Sequence, residues 1–377
     1  MTRILLTGGS GFIAAHVLDA LLHRGHSVVT TVRSEEKARK IRDSHPDVPK
    51  DKLDFAIVED IAKLDGNYVA RNNCLAHPMA TCSNNWLIGY KYIYIYIYIY
   101  IAFDEAVIAD PPFEIVIHTA SPFHFRADNN QTEYLDPAIN GTVGILRAIK
   151  RSAPTVKHVV ITSSFAAIID AKKPPTYKYS EADWNPITEA EALLNPIYGY
   201  RASKTFAERA AWEFVEKEKP NFTVTTINPP VVLGPVIHHV DSFATLNTSN
   251  ERIRDLITGA AKHSCPPTGT YLWVDVRDVA LAHILAAEKQ KEAANQRFFV
   301  TAGNFSNRQV AGIIYEEFPQ LREKLPVEEE ALKPGDFPAE GYSGFDNERS
   351  REVLGLEYRS LRQSVVDTVK SLLEIKE

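Results

Sequence analysis

The chain of 377 residues has little of what marks several classes of protein. It contains 3 cysteines, and Cys74, Cys82 and Cys265 provide neither a disulfide framework nor a zinc ligand set. We therefore expect no metal site. Lysine and arginine form no tract and the formal net charge is −6, so we also expect no nucleic-acid partner. No signal peptide precedes the first apolar segment, which predicts a cytoplasmic protein without a membrane partner.

The remaining composition is that of an ordinary globular protein. Hydrophobic residues make up 45% and charged residues 24% of the sequence. A chain of this length is long for one core and suits two closely joined lobes.

Glycines follow the first apolar segment directly. Residues 3–7 are apolar without alternation, which predicts a buried parallel strand, and residues 12–24 have apolar side chains at helical spacing. Between them lie Gly8 and Gly11, and Ala14 occupies the third position of the motif. A strand, a glycine turn and a helix N-terminus together bind a pyrophosphate, because the backbone N–H groups and the helix dipole face the anion. The alternative is an ordinary turn without a ligand.

The end of the second predicted strand indicates which dinucleotide binds. Residues 27–32 form this strand, and an acidic residue here usually holds the ribose of NAD. The strand ends instead at Arg33, with Lys37 one turn into the next helix. A guanidinium group suits the 2′-phosphate of NADP, so NADPH/NADP is the predicted cofactor. The alternative is a merely solvated arginine.

One segment differs from everything around it. Residues 66–101 end in alternating tyrosine and isoleucine from Tyr92 to Ile101, which a repeat of TA dinucleotides would encode. The codons of Gly66 and Ala102 permit intron boundaries whose removal keeps the reading frame. We therefore interpret residues 66–101 as a retained intron and assign no function to them. A genuine insertion loop is the alternative, although so long a loop inside a compact domain is uncommon.

The order of elements predicts an α/β fold. Predicted strands cover residues 3–7, 27–32, 53–58, 114–118, 156–161, 222–227 and 297–300, and predicted helices cover residues 12–24, 103–109, 134–151 and 202–218. Such alternation predicts a doubly wound Rossmann sheet of about seven parallel strands. We assign residues 1–235 to an NADP-binding domain. Residues 236–377 are assigned mainly to a smaller mixed substrate lobe, with residues 270–300 returning to the sheet.

Three residues have the chemistry of carbonyl reduction. Tyr200 and Lys204 are four apart, so both side chains project from one helix face. An ammonium group beside a phenol favours the phenolate, so we expect a lowered tyrosine pKa and proton exchange with a substrate oxygen. Ser164, after the fifth strand, can hydrogen-bond the same oxygen. Alone, such a pair of residues is usually a solvated helix face.

The motifs resemble those of a known family. Thr7-Gly8-x-x-Gly11-x-x-Ala14, Thr162-Ser163-Ser164 and Tyr200-x-x-x-Lys204 occur in the order found in extended short-chain dehydrogenases/reductases. Residues 118–123, 184–186, 200–208 and 275–280 resemble the dihydroflavonol-4-reductase-like branch, and best match fungal NADPH-dependent methylglyoxal/aldehyde reductases. The resemblance covers nearly the whole chain except residues 66–101, which the family lacks.

The resemblance implies roles for individual residues. Ser164, Tyr200 and Lys204 would be catalytic, with Ser163 as the second choice for the serine. The cofactor-binding residues would be Gly8, Gly11, Phe12, Ile13, Arg33, Lys37, Asp60, Ile61, Thr119, Ala120, Ser121, Tyr200, Lys204, Pro229 and Val231. Phe123, Phe165 and Tyr198 would line the substrate pocket.

We therefore expect NADPH-dependent reduction of small aldehydes and ketones to alcohols, by a monomer or homodimer. One alternative is an NAD-dependent sugar-nucleotide epimerase or dehydratase, which shares the glycine turn and the Tyr-x-x-x-Lys motif. Arg33 argues against it. The other alternative is a non-catalytic NADP-binding sensor module, although such modules typically lose the tyrosine or the lysine.

Overall fold

The computed structural model of the chain describes residues 2–61, 102–121 and 129–375, so residues 66–101 and Phe123 lie outside the described residues. The strands are β1 (Arg3–Thr7), β2 (Ser27–Val32), β3 (Leu53–Ile57), β4 (Ile115–His118), β5 (His158–Thr162), β6 (Lys178–Tyr179), β7 (Thr223–Asn228), β8 (Val231–Leu233), β9 (Leu272–Asp275), β10 (Gln296–Phe299), β11 (Gly303–Asn304) and β12 (Gly344–Phe345). A seven-stranded parallel sheet has the order β10-β7-β5-β4-β1-β2-β3. The predicted doubly wound α/β fold is confirmed.

Helices cover both faces of the large sheet. The helices of the described residues are α1 (Phe12–His23), α2 (Glu35–Asp43), α3 (Asp136–Ser152), α4 (Glu189–Ala192), α5 (Pro196–Glu218), α6 (Thr248–Thr258), α7 (Val276–Glu288), α8 (Gln290–Ala293), α9 (Asn307–Glu317), α10 (Glu329–Leu332), α11 (Glu348–Glu352) and α12 (Leu361–Leu373). Of these, α1 and α7 pack on one face of the large sheet, and α3 and α5 pack on the other. Ile4 and Leu6 of β1 pack into the core beneath α1 and α7, whereas Leu5 packs into the core beneath α3 and α5. Burial on both faces explains why β1 shows no alternation of polar and apolar residues.

A second, smaller sheet belongs to the C-terminal part of the chain. In this sheet β9 pairs with β8 in parallel and with β11 in antiparallel orientation. It adjoins a separate core to which α6, α9 and α12 contribute. Residues 270–300 were predicted to return to the large sheet. Of their two strands, β10 lies in the large sheet and β9 lies in the small one. The proposed division of the chain at residue 235 stays a prediction.

Two predicted helices differ from the structure. Residues 103–109 form hydrogen-bonded turns instead of a helix, and Phe103 and Val107 are buried against the large sheet. The helix predicted from residue 202 begins earlier, because the side chain of Asn195 caps its first turn and Pro196 opens it. Tyr200 therefore lies within α5 and not before it.

The strand order places the site. The chain starts in the middle of the sheet at β1, and its neighbours β2 and β4 lead in opposite directions. Ligands of open parallel sheets bind at the carboxyl ends of the strands beside such a reversal. A cavity of about 1740 Å³ opens there, bounded by the turn after β1, the turn after β5, α5 and α6.

Candidate active site

The turn after β1 tolerates only glycine at two positions. Gly8 has φ +79°, and a Cβ atom there would lie 3.0 Å from the Cα atom of Ala120. A Cβ atom on Gly9 would lie 2.1 Å from Oγ1 of Thr30, so this position also excludes a side chain. The glycine side of the turn is therefore packed against β2 and β4, and its backbone remains open to the cavity.

Helix α1 directs its positive end at the same cavity. Its N-cap is Gly11, which supplies no side-chain hydrogen bond, and its first turn contains no acidic residue. Phe12 and Ile13 line the cavity beside Gly8 and Gly11, and the nearly buried Ala14 lines it too. Unsatisfied N–H groups at a helix start favour a phosphate, so the donor set fits a pyrophosphate.

Of the two basic residues predicted to bind the 2′-phosphate, Lys37 lines the cavity and Arg33 does not. Lys37 lies in the cavity wall, where its backbone N–H donates to the Ser34 side chain that caps α2. Lys40, one turn later, also lines the cavity. Arg33 is exposed at the end of β2 and is not part of the wall.

The residues predicted to flank adenine are also outside the wall. Asp60 is exposed after β3, and Ile61 packs against the core formed with α3. Their assignment to adenine stays a prediction.

The segment after β4 connects the glycine turn to α5. Thr119 donates its hydroxyl hydrogen to the carbonyl oxygen of Thr7, and the Ala120 N–H donates to the Thr7 hydroxyl at 3.2 Å. Next in the chain, the Ser121 hydroxyl accepts a hydrogen bond of 2.7 Å from Nζ of Lys204. The glycine turn, β4 and Lys204 are thus held together by hydrogen bonds.

The predicted catalytic side chains converge at the end of β5. The Tyr200 hydroxyl donates to the Ser164 hydroxyl over 3.4 Å, and Nζ of Lys204 lies 6.0 Å from the centre of the Tyr200 ring. The Ser164 hydroxyl also accepts from the N–H of Ala166, which fixes its position at the start of a short 3₁₀ turn. All three side chains line the cavity.

Burial changes the acidity of this group in a way the sequence did not predict. Burial raises the pKa of Tyr200 to about 12, although the hydrogen bond with Ser164 opposes the rise. Burial also lowers the pKa of Lys204 to about 8. The expected lowering of the tyrosine pKa by the neighbouring ammonium group is wrong for this structure, because the loss of hydration outweighs it.

The two neighbouring serines have different surroundings. Ser163 donates its hydroxyl hydrogen to Oε2 of Glu208 at 2.5 Å and is buried. Glu208 in turn pairs with Arg297 of β10 at 2.5 Å, in an ion pair that is almost fully buried. Ser164 faces Tyr200 instead, which supports it as the catalytic serine.

Two of the three residues predicted to line the substrate pocket lie in the cavity wall. Phe165 and Tyr198 both line the cavity, but the Phe165 ring also stacks on Phe299 with 5.2 Å between the ring centres. Phe123 lies outside the described residues. Pro229 and Val231, expected at the nicotinamide, lie in the wall, and the carbonyl oxygen of Pro229 accepts from the N–H of Phe165 at 2.8 Å.

The comparison with known families agrees with this geometry. A model of the NAD dependent epimerase/dehydratase family matches residues 4–302. The chain belongs to this family. It is 43% identical to the ketoreductase azaE of Aspergillus niger over 99% of this chain and 98% of the relative. It is 34% identical to the NADPH-dependent methylglyoxal reductase GRE2 of Saccharomyces cerevisiae, over 99% and 98% of the two chains.

Solved structures of epimerase/dehydratase relatives also superpose well. Gre2 from Candida albicans in complex with NADPH matches with a TM-score of 0.81, 35% identity and full coverage of both chains. Yeast methylglyoxal/isovaleraldehyde reductase Gre2 complexed with NADPH matches with a TM-score of 0.78 and 31% identity, over 99% of this chain and 98% of that one. The predicted membership of this family and of its reductase branch is confirmed.

Several residues of the cavity wall were not predicted from the sequence. Helix α6 and the segment before it contribute Asn247, Ser249 and Arg252, and the loop before β9 contributes Thr268 and Thr270. These residues belong to no motif that we recognised, and only the fold brings them to the glycine turn. The polar character of residues 247–252 was the one available signal.

Neither a metal-ligand cluster nor a membrane-spanning helix is found in the part of the chain that the structure describes. Within residues 2–61, 102–121 and 129–375, no group of three or more His, Cys, Asp or Glu side chains could hold a metal ion. No helix in the same part of the chain is long and apolar enough to cross a membrane.

Proposed function

We propose that this chain reduces aldehydes and ketones to alcohols with NADPH. The observation that carries the proposal is the convergence of Ser164, Tyr200 and Lys204 in the cavity that begins at the glycine turn. The names of two relatives, a ketoreductase and an NADPH-dependent methylglyoxal reductase, support the same activity.

The residues present fit NADPH. A side chain on Gly8 would meet Ala120, and α1 has no side-chain cap, so this end of the cavity suits a pyrophosphate. Lys37 provides positive charge for the 2′-phosphate, and Arg33 is close to it in sequence. Lys40 lines the same wall but pairs with Glu36 and Asp241. When bound, NADPH supplies the hydride for the carbonyl carbon.

The chain's own residues handle the substrate oxygen. Tyr200 keeps its proton through neutral pH because burial raises its pKa to about 12, and a protonated phenol is the form that a reduction needs. The Ser164 hydroxyl is within hydrogen-bonding reach of the phenol and can bind the same oxygen. The ammonium group of Lys204 is held near the Tyr200 ring by Ser121, where it stabilises negative charge that develops as the proton leaves.

The proposal also includes a substrate class and a cellular setting. We take small aldehydes such as methylglyoxal and small ketones as substrates, with Phe165 and Tyr198 as pocket residues. The protein acts in the cytoplasm as a monomer or homodimer in this proposal. The basic residue Lys37 in the wall favours NADPH over the NAD of an epimerase.

The test follows NADPH absorbance with methylglyoxal and a panel of small ketones. Consumption by the full chain that Tyr200→Phe abolishes supports the proposal. Binding of NADPH without reduction of any carbonyl favours the sensor module instead. A chain lacking residues 66–101, assayed in parallel, tests the retained-intron hypothesis, because removing an intron-derived segment should leave activity equal or higher.

A further inference from the structure

The charges in the cavity wall are unevenly distributed. The acidic residues in the wall are Asp19, Glu36 and Asp241, and they belong to α1, α2 and the segment bonded to α2. Each has a basic partner close by, such as Lys40 for Glu36 and Asp241. The described wall on the side of α5 and α6 contains no carboxylate, but it contains two arginines, Arg201 and Arg252. This side of the cavity is therefore electropositive.

Arg252 lies in this wall without a carboxylate partner among the described residues. Its Nε atom donates to the carbonyl oxygen of Ser249 at 3.1 Å. Its Nη1 atom donates to the side-chain oxygen of Asn307 at 3.2 Å and to the carbonyl oxygen of Thr268 at 3.4 Å. All three acceptors are neutral. Burial lowers the pKa of Arg252 to about 10, because it removes hydration from the charged guanidinium group. The group remains charged at neutral pH.

Hydrogen bonds connect this arginine to the catalytic turn. Ser249, one turn earlier on α6, donates its hydroxyl hydrogen to the carbonyl oxygen of Val232 in β8. The residue that precedes β8 by two positions, Pro229, accepts from the N–H of Phe165, next to Ser164. The first turn of α6, to which the Arg252 side chain bonds, is thus held against the strand that follows the segment beside Ser164.

We propose that Arg252 binds an anionic group of the substrate, so that the enzyme prefers carbonyl compounds bearing a carboxylate. The inference deepens the proposed reductase function and rests on it. A desolvated guanidinium group whose hydrogen bonds go to neutral oxygens gains more from a carboxylate than from a neutral ester, because a charge-assisted pair replaces a weak contact. No group of the protein competes for it, since the nearby described wall is free of carboxylates.

The test compares straight-chain ω-oxo carboxylates of increasing length with their methyl esters, using the full chain and NADPH. At the best length, we expect kcat/KM for the acid to exceed that for the ester by about tenfold or more. Arg252→Met should bring this ratio close to one, and Arg252→Lys should retain part of it. The matched control is Arg254→Met on the same helix, because Arg254 is outside the wall and pairs with Asp255 at 2.8 Å. It should leave the ratio unchanged.

The outcomes separate this inference from the function on which it rests. Equal reduction of acid and ester by the wild type, still abolished by Tyr200→Phe, refutes the anion site and leaves the reductase intact. A ratio lost in Arg201→Met but kept in Arg252→Met refutes the assignment to Arg252. If no carbonyl is reduced, the melting temperature of the NADPH-bound chain is compared with hexanoate and with hexanamide. Hexanoate should raise it more than hexanamide does, and this difference should disappear in Arg252→Met.

Discussion

Replacing Glu208 by glutamine tests what holds the catalytic turn in place. Oε2 of Glu208 accepts from Ser163 at 2.5 Å and from Asn228 at 2.6 Å, and Asn228 also donates to the Ser164 carbonyl oxygen. Oε1 accepts from Arg297 at 2.5 Å and from Thr226 at 3.0 Å. Oε1 also accepts from the indole N–H of Trp212 at 3.2 Å. Every neighbour of both oxygens is a donor. The hydroxyl neighbours can turn and accept, but each oxygen also faces at least one N–H group that cannot, so a glutamine must direct its own N–H₂ group at an N–H donor whichever way its amide is turned.

The magnitude follows from the burial of the pair. Arg297 is only 9% exposed, so its charge has no route to water when the carboxylate is removed. Removing one partner of a buried ion pair costs about 3–5 kcal/mol, and we expect the free energy of unfolding to fall by about 3 kcal/mol in Glu208→Gln. The matched control is Glu213→Gln on the same helix, whose exposed pair with Lys217 should contribute less than about 1 kcal/mol.

Urea unfolding measures both variants, and a double mutant separates the causes. In Glu208→Gln with Arg297→Met the uncompensated charge is gone, so the double variant should be more stable than the sum of the single losses predicts. A fall of less than about 1 kcal/mol for Glu208→Gln alone would refute the reasoning. In the folded variant, kcat should decrease while the dissociation constant of NADPH stays unchanged, because Glu208 contacts the serine turn and not the glycine turn.

Other changes test the remaining parts of the site. Gly8→Ala should weaken NADPH binding at least about tenfold, as fluorescence titration would show, because a Cβ atom would meet Ala120. Gly25→Ala is the control, because Gly25 has a similar φ but no atom within 4 Å of an added Cβ. It should lower the stability of the protein without weakening NADPH binding. The kcat/KM for reduction should decline as the pH rises through about 8, where Lys204 loses its charge while the Tyr200 phenol stays protonated; a flat profile up to pH about 10 contradicts this. Lys37→Glu should raise the KM for NADPH about tenfold and change that for NADH little.

The fold was largely predictable because both faces of the large sheet are buried. Fully buried parallel strands are short apolar runs, so β1 and β2 have the predicted bounds and the others differ by one to two residues. The small sheet was missed because β8 has only three residues and follows two prolines, which indicate a loop. The start of α5 was missed although Asn195-Pro196 is a typical helix start, because the Tyr-Gly-Tyr segment that follows is typical of a loop.

The site was predictable where its residues are close in sequence. The glycine turn, the serine pair and the tyrosine–lysine pair are local patterns with fixed spacing. The ion pair of Glu208 and Arg297 joins residues 89 positions apart, and nothing in either local sequence indicates the other. Arg252 is likewise placed in the cavity wall by the packing of α6 against β8, which no local pattern predicts.

The acidity of the catalytic group shows most clearly why local sequence is insufficient. Considered as a pair on one helix face, Tyr200 and Lys204 imply a lowered tyrosine pKa. The enclosed cavity reverses this, because burial disfavours the charged form of both groups and so raises one pKa to about 12 and lowers the other to about 8. Between pH about 7 and 8 the phenol is then neutral and the ammonium group still charged. That combination suits donation of a proton to a carbonyl oxygen, so burial itself prepares the site for reduction.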